Sequence, residues 1–264
     1  VHANDIVTYS TYIPVVKDKN DEQNAQLKIN QAISALTLNG GGPAHINLET
    51  FYSKDLSVKN LPNVKVIKRI DVEDKFPELP SGKIAIFIGS HKKFTSKETE
   101  VIDTFCKNHN AVVFCDHCSG YKGEYRQIDA LLNIQDASCL NNIRLLLHIG
   151  EVTGDHFNMG NHAQDRYNKL TYVFDMAESI FFNYYKNENK QSNQSFIKEC
   201  LSDYEKLYNA IPELPLSNIW MAKQMHDKLP ENSCIHFKIY QFYEQRRRFW
   251  NRWNVIISVR SISL

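Results

Sequence analysis

The chain has 264 residues, of which 42% are hydrophobic and 23% are charged, and these proportions exclude a disordered protein. Its 31 basic and 30 acidic residues give a net charge of +1, so no overall field favours nucleic acid or a membrane surface as a partner. The mean hydropathy is −0.43, and no apolar run approaches the length that a bilayer requires, so we predict no membrane span.

The N-terminal residues resemble neither a normal start nor a secretory leader. Val1 stands where an initiator Met is expected, and the residues after it contain no basic region followed by an apolar one. We therefore expect the chain to start partway through a longer protein. Six cysteines are too few for a secreted, disulfide-stapled scaffold, which predicts free thiols and a cytoplasmic location.

The first elements in chain order are an extended polar stretch over 1–20 and a helix over 22–38, which Asn20 or Asp21 can cap. The helix is predicted to bury the apolar residues that recur at helical spacing: Ile29, Ala32, Ile33 and Leu36. Glycines 40–42 and Pro43 end it, and a strand follows over 45–48. Because a phosphate-binding loop needs a strand, then glycines, then a helix, this order excludes one here.

The central part of the chain alternates between strand and helix patterns. After a polar, proline-containing stretch over 51–80 with one short strand at 64–67, continuous apolar runs predict buried strands at 84–88, 111–116 and 143–150. A capping box at 95–98 opens a helix, a helical piece is predicted at 128–132, and a further strand at 172–175. Helices follow at 177–185, 195–210 and 218–228, and another strand at 234–237. This rhythm predicts an α/β fold with a doubly wound, Rossmann-like parallel sheet.

Candidate ligand-binding residues follow two of the predicted strands. Open parallel sheets bind ligands at the carboxyl ends of their strands, where this sequence places Gly89, Ser90, His91, Asp116 and His117. They form a candidate cleft for an anion or a nucleotide, although an ordinary turn after each strand accounts for the same residues. The pair at 115 and 118 invites a zinc or redox interpretation, but no second ligand pair is present and Cys115 belongs to a strand, so we predict no metal site.

Three segments together resemble one family, the thiamine diphosphate-dependent enzymes. Gly-Gly-Pro-Ala-His-Ile-Asn at 41–47 is similar to the segment that closes their pyrimidine-binding domain. Two looser similarities lie at 116–123 and 146–152, and they point to the 2-succinyl-5-enolpyruvyl-6-hydroxy-3-cyclohexene-1-carboxylate synthases of menaquinone biosynthesis, which act on 2-oxoglutarate and isochorismate.

The resemblance implies a parent enzyme that binds thiamine diphosphate and Mg²⁺, acts on a 2-oxo acid, and assembles as a homodimer or homotetramer. It also implies that the working residues lie outside this chain. In the family, a glutamate of the first domain activates the cofactor, and a Gly-Asp-Gly to Asn motif of the last domain binds Mg²⁺ and diphosphate; neither is found here. We therefore expect no thiamine diphosphate site, no bound cofactor, no metal and no catalytic residue in this chain alone.

The predicted organisation has five parts. They are the end of the pyrimidine-binding domain (1–50), a linker (51–80), the central domain (81–210), the entry to the diphosphate-binding domain (211–237) and an aberrant tail (238–264). Read one nucleotide later, codons for residues 247–254 can spell Gly-Gly-Phe-Gly-Ile-Asp-Gly-Met, the motif that the family needs, so we expect a frameshifted tail. The alternatives are an acetolactate-synthase-like or other thiamine diphosphate decarboxylase, and a free-standing nucleotide-binding α/β module.

Overall fold

The computed structural model of the chain confirms the predicted α/β fold with a parallel sheet. It describes residues 6–37, 40–52, 54, 57, 63–115, 118–128, 132, 137–150, 169–186, 191–225, 228 and 256–260. All strand pairings among these residues are parallel, and they form a two-stranded and a seven-stranded sheet. The predicted strand at 234–237 lies outside the described residues.

A small β-α-β unit forms the N-terminal part of the structure. Strand β1 (Tyr9–Ile13) pairs in parallel with β2 (Ala44–Leu48), and helix α1 (Lys19–Ala35) connects them. The helix begins three residues earlier than predicted because Asp18 caps it, accepting hydrogen bonds from the amides of Asn20 and Asp21 at 2.8 and 2.9 Å. Strand β1 was missed in the sequence since its polar Tyr-Ser-Thr-Tyr pattern lacks an apolar run.

The predicted buried face of α1 is right for Ala32 and wrong for the three larger residues. Asn30, Ala32 and Ala35 are its buried residues, whereas Ile29, Ile33 and Leu36 are 37%, 58% and 50% exposed. The Asn30 side chain ties the helix to the next segment, donating to the carbonyl of Lys65 and accepting from the amide of Ile67.

The seven-stranded sheet has the spatial order β3-β8-β9-β7-β4-β5-β6. Its strands are β3 (Lys68–Ile70), β4 (Lys83–Ile88), β5 (Ala111–Cys115), β6 (Arg126–Ile128), β7 (Ile143–Ile149), β8 (Leu170–Asp175) and β9 (Ile256–Arg260). The sheet thus takes one strand from the predicted linker and one from the predicted tail, on either side of the 81–210 range.

Helices cover both faces of this sheet. Those that contribute to its two core clusters are α2 (Ser96–His109), α3 (Glu178–Tyr185) and α4 (Ser195–Asn209), with a short 3-10 helix at Ser138–Leu140. Helix α5 (Asn218–Met225) follows α4 in the chain. Along β4, Ile84, Ile86 and Ile88 pack into a core cluster with α2 and α3. Ala85 and Phe87 point the other way, into a cluster with α4 and the 3-10 helix. Burial on both faces explains the continuous apolar runs of these strands.

The capping box of α2 is present as predicted, with Thr95 accepting from the Glu98 amide and Glu98 accepting from the Thr95 amide. Ser217 caps α5 by accepting from the amide of Trp220 at 3.2 Å. Two local predictions need correction. The strand expected at 64–67 lies at Lys68–Ile70. Of the helical piece expected at 128–132, Ile128 belongs to strand β6 (Arg126–Ile128), which pairs with β5, Leu132 is helical, and 129–131 lie outside the described residues.

Candidate functional site

The carboxyl end of β4 is the place where the sheet reverses its direction of winding. From β4 the chain continues to β5 on one side, whereas β7 lies against the other side of β4. Ligands of doubly wound sheets bind in the crevice at such a reversal. Of the predicted cleft residues, Gly89, Ser90 and His91 lie here, next to Gly150 at the end of β7, while Asp116 and His117 lie outside the described residues.

The loops after β4 and β7 contact each other directly. The amide of Gly89 donates to the carbonyl of Ile149 at 2.9 Å. Gly150 has a φ of +73°, and a Cβ atom there would lie 2.6 Å from the carbonyl oxygen of Ser90. Only glycine permits this approach, so the space between the two strand ends is occupied by the backbone of their own loops.

The imidazole of His91 is engaged inside the protein. Its Nδ1 lies 2.7 Å from the carbonyl oxygen of Lys92, and its Nε2 lies 3.3 Å from a carboxylate oxygen of Glu178. The ring stacks on Phe94 with centroids 4.2 Å apart, and the His91 and Glu178 side chains are 9% and 11% exposed. His91 therefore links the loop after β4 to the first turn of α3, and both of its nitrogens already face a protein oxygen.

The loop after β5 is held against the loop after β4. The amide of His91 donates to the carbonyl of Cys118 at 3.1 Å, and the amide of Phe94 donates to Gly120 at 3.4 Å. Gly120 has a φ of +67°, and a Cβ atom there would lie 2.6 Å from the carbonyl oxygen of Lys92. The described residues that follow β4, β5 and β7 are thus joined through backbone contacts.

A buried polar pair next to this site was not predicted from the sequence. Tyr121, 1% exposed, donates its hydroxyl to Asp103 of α2, whose carboxylate also accepts from the amide of Glu124 at 3.4 Å. Burial raises the pKa of Asp103 and that of Tyr121. A Cβ atom at Gly123 would lie 2.2 Å from the Tyr121 hydroxyl. In the sequence, the glycines at 120 and 123 on either side of Tyr121 are the feature that could have indicated this close packing.

The remaining chemical groups give no assembled centre within the described part of the chain. There, no group of three or more His, Cys, Asp or Glu side chains is placed to hold a metal ion. Cys115 is buried and Cys118 is exposed. Among the helices that the structure describes, none combines the length and apolarity needed to cross a membrane.

An open groove of about 570 Å³ lies at the opposite edge of the sheet, where β4 and β8 begin. It is lined by Pro77, Glu78, Leu79, Pro80, Ser81, Thr171 and Tyr172. Parallel sheets bind ligands at the carboxyl ends of their strands, whereas this groove lies at the amino ends of β4 and β8. The groove is therefore separate from the predicted cleft.

Comparison with known proteins assigns the chain to no family. No protein-family model matches the sequence, and no curated protein matches it. The geometry of the described residues and the motifs of the sequence are therefore the basis for a functional proposal.

Proposed function

We propose that the chain is a piece of a thiamine diphosphate-dependent 2-oxo acid decarboxylase or carboligase, in which the large sheet is the central domain between two catalytic domains. The observation that carries the proposal is the order of the parts. A small parallel β-α-β unit ends in Gly-Gly-Pro-Ala-His-Ile-Asn-Leu, a connector follows, and a separate doubly wound sheet begins. The closest parent is the menaquinone-pathway synthase family.

The glycines of the 41–47 motif support the proposal because the turn requires them. Gly41 has a φ of +79°, and a Cβ atom there would lie 2.3 Å from the carbonyl oxygen of Leu36. At Gly42 a Cβ atom would lie 1.9 Å from the Thr8 hydroxyl oxygen. Two consecutive positions therefore exclude a side chain. The motif is a turn that requires glycine and brings β2 alongside β1, and not a loop that accepts other residues.

The exposed apolar side chains of the N-terminal unit also support it. Tyr12, Ile33, Leu36 and Leu48 are 49% to 58% exposed, within a unit that has two strands and one helix. Parallel sheets normally have more strands and cover on both faces. A unit with this much uncovered apolar surface is what the end of a larger α/β domain looks like.

In this proposal the central sheet has a structural role, because the predicted cleft residues make their contacts within the protein. His91 is bound to Glu178, and Gly89, Ser90 and Gly150 hold adjacent loops together. The residues present do not fit thiamine diphosphate with Mg²⁺, since the described residues bring no cluster of metal-binding carboxylates together and the sequence has no Gly-Asp-Gly motif. We therefore assign no step of catalysis to this chain. The same proposal includes a parent enzyme that is a homodimer or homotetramer, is cytoplasmic and acts on a 2-oxo acid.

Thermal unfolding in the presence of ligands tests the proposal against its alternative, the free-standing nucleotide-binding module. A ligand at 100 times its dissociation constant stabilises the folded state by about 2.7 kcal/mol. We expect thiamine diphosphate with Mg²⁺, FAD and ADP to leave the Tm of the purified chain unchanged. A saturable rise with FAD or ADP alone would favour the module, and release of CO₂ from a 2-oxo acid with added cofactor would contradict the assignment of catalysis to missing domains.

A parent of the acetolactate-synthase type is distinguished by the flanking DNA. The substrate-binding residues of the family lie in the two outer domains, so the reading frames on either side of this one decide which 2-oxo acid the parent takes.

A further inference from the structure

Two cysteine thiols meet in the core beneath one face of the large sheet. Cys139 lies in the 3-10 helix and Cys200 in α4, and both are completely buried in the cluster that contains Phe87 and Phe114. Both are free thiols, and they are neighbours in this cluster, since the amide of Cys139 is bonded to Asp203 of the helix that contains Cys200 and the Cys139 side chain raises the pKa of Cys200. They are separated by about 60 residues of sequence, so the fold alone brings them together.

The register that places the two thiols together is fixed by a neighbouring carboxylate. Asp203 lies three residues after Cys200, on the same face of α4. One of its oxygens accepts from the Ser138 hydroxyl at 2.8 Å and from the amide of Cys139 at 2.7 Å. Because these bonds involve neither thiol, they do not depend on the oxidation state of the two cysteines.

A partly exposed ion pair covers the thiols. The ammonium of Lys83 donates to the carbonyls of Cys139 and Asn141, each at 3.3 Å, and it pairs with Glu199, the residue before Cys200. The Lys83 side chain is 15% exposed and that of Glu199 is 44% exposed. Ion pairs with this much solvent contact are weak, so the cover opens at small cost.

The charges around the two cysteines determine how readily their thiols react. The hydrogen bond with Cys139 and burial raise the pKa of Cys200, while Lys83 acts in the opposite direction. In the closed state the Cys200 thiol is therefore protonated and unreactive. When Glu199 moves into solvent, the Lys83 ammonium stays beside the thiols and favours the thiolate, which is the reactive form.

We propose that Cys139 and Cys200 are a redox switch that closes to a disulfide when the chain meets a low-molecular-weight disulfide. One thiolate attacks a sulfur of the oxidant, forming a mixed disulfide and releasing one thiol. The second cysteine then attacks the protein sulfur of that mixed disulfide and releases the other thiol. The oxidant gains two electrons, the two cysteine protons go to the two released thiols, and α4 becomes covalently attached to the 3-10 helix.

Peptide mapping after treatment with oxidised glutathione tests this proposal on the full chain. We expect a cross-linked peptide that contains Cys139 and Cys200, a mass about 2 Da lower than the sum of its reduced parts, and a Tm raised by several degrees. Cys106 and Cys115 are the matched control, since both are buried in the opposite cluster and are expected to stay reduced. Full glutathionylation of exposed Cys118 without any link between 139 and 200, or equal linkage of 106 and 115, would overturn the proposal.

The variant Glu199→Gln tests the cover separately, because it removes the ion pair and leaves both thiols and Lys83 in place. We expect it to form the cross-link about two to five times faster, the range that corresponds to loss of a weak exposed pair. Glu205→Gln, an exposed position on the same helix, is expected to react at the original rate. Equal rates for all three proteins would overturn the role of the Lys83–Glu199 pair.

Discussion

At the scale of single residues, glycines with the same backbone conformation have different surroundings. Gly150 and Gly40 have φ values of +73° and +88°. A Cβ atom at Gly150 would lie 2.6 Å from the carbonyl of Ser90, whereas one at Gly40 would have no heavy atom within 4 Å. Substitutions at the two positions therefore distinguish the effect of backbone strain from that of the close contact between the loops of the candidate site.

We predict that Gly150→Ala destabilises the protein more than Gly40→Ala. The alanine at 40 has only the strain of a left-handed backbone, about 1 kcal/mol, whereas the one at 150 also forces two loops apart and costs about 2 to 3 kcal/mol in total. Urea unfolding of the two variants measures the difference. Equal losses would mean that the contact between Ser90 and Gly150 has no energetic weight.

Asp203 gives a prediction about pH. Burial alone would raise the pKa of its carboxyl, but hydrogen bonds from the Cys139 amide, the Ser138 hydroxyl and Lys206 outweigh burial, and the pKa is lowered. A lowered folded-state pKa adds stability that is fully present above the ordinary carboxyl pKa and is lost as the pH falls through the folded-state value. Asp203 thus stabilises the attachment of α4 at neutral pH and less so in acid.

The expected result is that Asp203→Ala lowers the free energy of unfolding by about 1 to 3 kcal/mol at neutral pH, because a buried amide and a hydroxyl lose their acceptor. Asp203→Asn is the matched control, since its amide oxygen can accept both bonds without the charge. It should lose less stability and flatten the acid dependence. Chemical denaturation at neutral and acidic pH measures both effects, and an unchanged acid dependence in Asp203→Asn would refute the role of the charge.

At the scale of elements, β9 is unusual because of its position. It pairs with β7 on one side, from Leu146 with Ile256, and with β8 on the other, from Leu170 with Ile256. Without it, the strands would follow the order β6-β5-β4-β7-β8-β3, in which the last five in chain order have the usual 3-2-1-4-5 arrangement of a doubly wound sheet. The strand from the predicted aberrant tail therefore lies where β7 and β8 would ordinarily be neighbours.

We predict that a chain ending at residue 237 keeps its fold, with β8 moving into direct pairing with β7. The expected observation is cooperative unfolding with a Tm within about 4 °C of the full chain and an unchanged far-UV circular dichroism spectrum per residue. Loss of cooperative unfolding would show that β9 is an integral strand, and the hypothesis of a frameshifted tail would then be abandoned.

The elements that the sequence predicts well are those that are buried in apolar surroundings on both faces. Strands β4 and β7 have apolar residues on both faces, so a continuous apolar run predicts them whatever covers them. In helix α1, Ala32 is buried as predicted, but Ile33 is exposed and Ala35 is buried in its place, an outcome that depends on the surroundings of the helix. Local sequence patterns carry no such information.

The candidate site shows the same limit. Its position after β4 follows from the strand pattern, and the structure places Gly89, Ser90 and His91 at the reversal of the sheet. The hydrogen bond of His91 to Glu178 joins residues 87 positions apart, so no local pattern indicates that the imidazole is already engaged. The same holds for Tyr121 and Asp103, whose pairing depends on the packing of α2.

At the scale of the whole molecule, two α/β units with different degrees of completeness lie in one chain. The large sheet is covered on both faces by helices, and its core residues are buried. The N-terminal unit has two strands and many exposed apolar side chains. A sheet covered on both faces, beside a two-stranded unit with exposed apolar side chains, is the arrangement that our proposal of a divided thiamine diphosphate enzyme requires.

The coding DNA for residues 238–264 tests this proposal most directly. Trp250 and Trp253 are each followed by Asn, so a frame shifted by one nucleotide must contain glycine codons at both places. We predict that this frame reads Gly-Gly-Phe-Gly-Ile-Asp-Gly-Met opposite residues 247–254 and continues without a stop codon. A stop codon in that stretch, or any residue other than Asp opposite Arg252, would contradict the assignment.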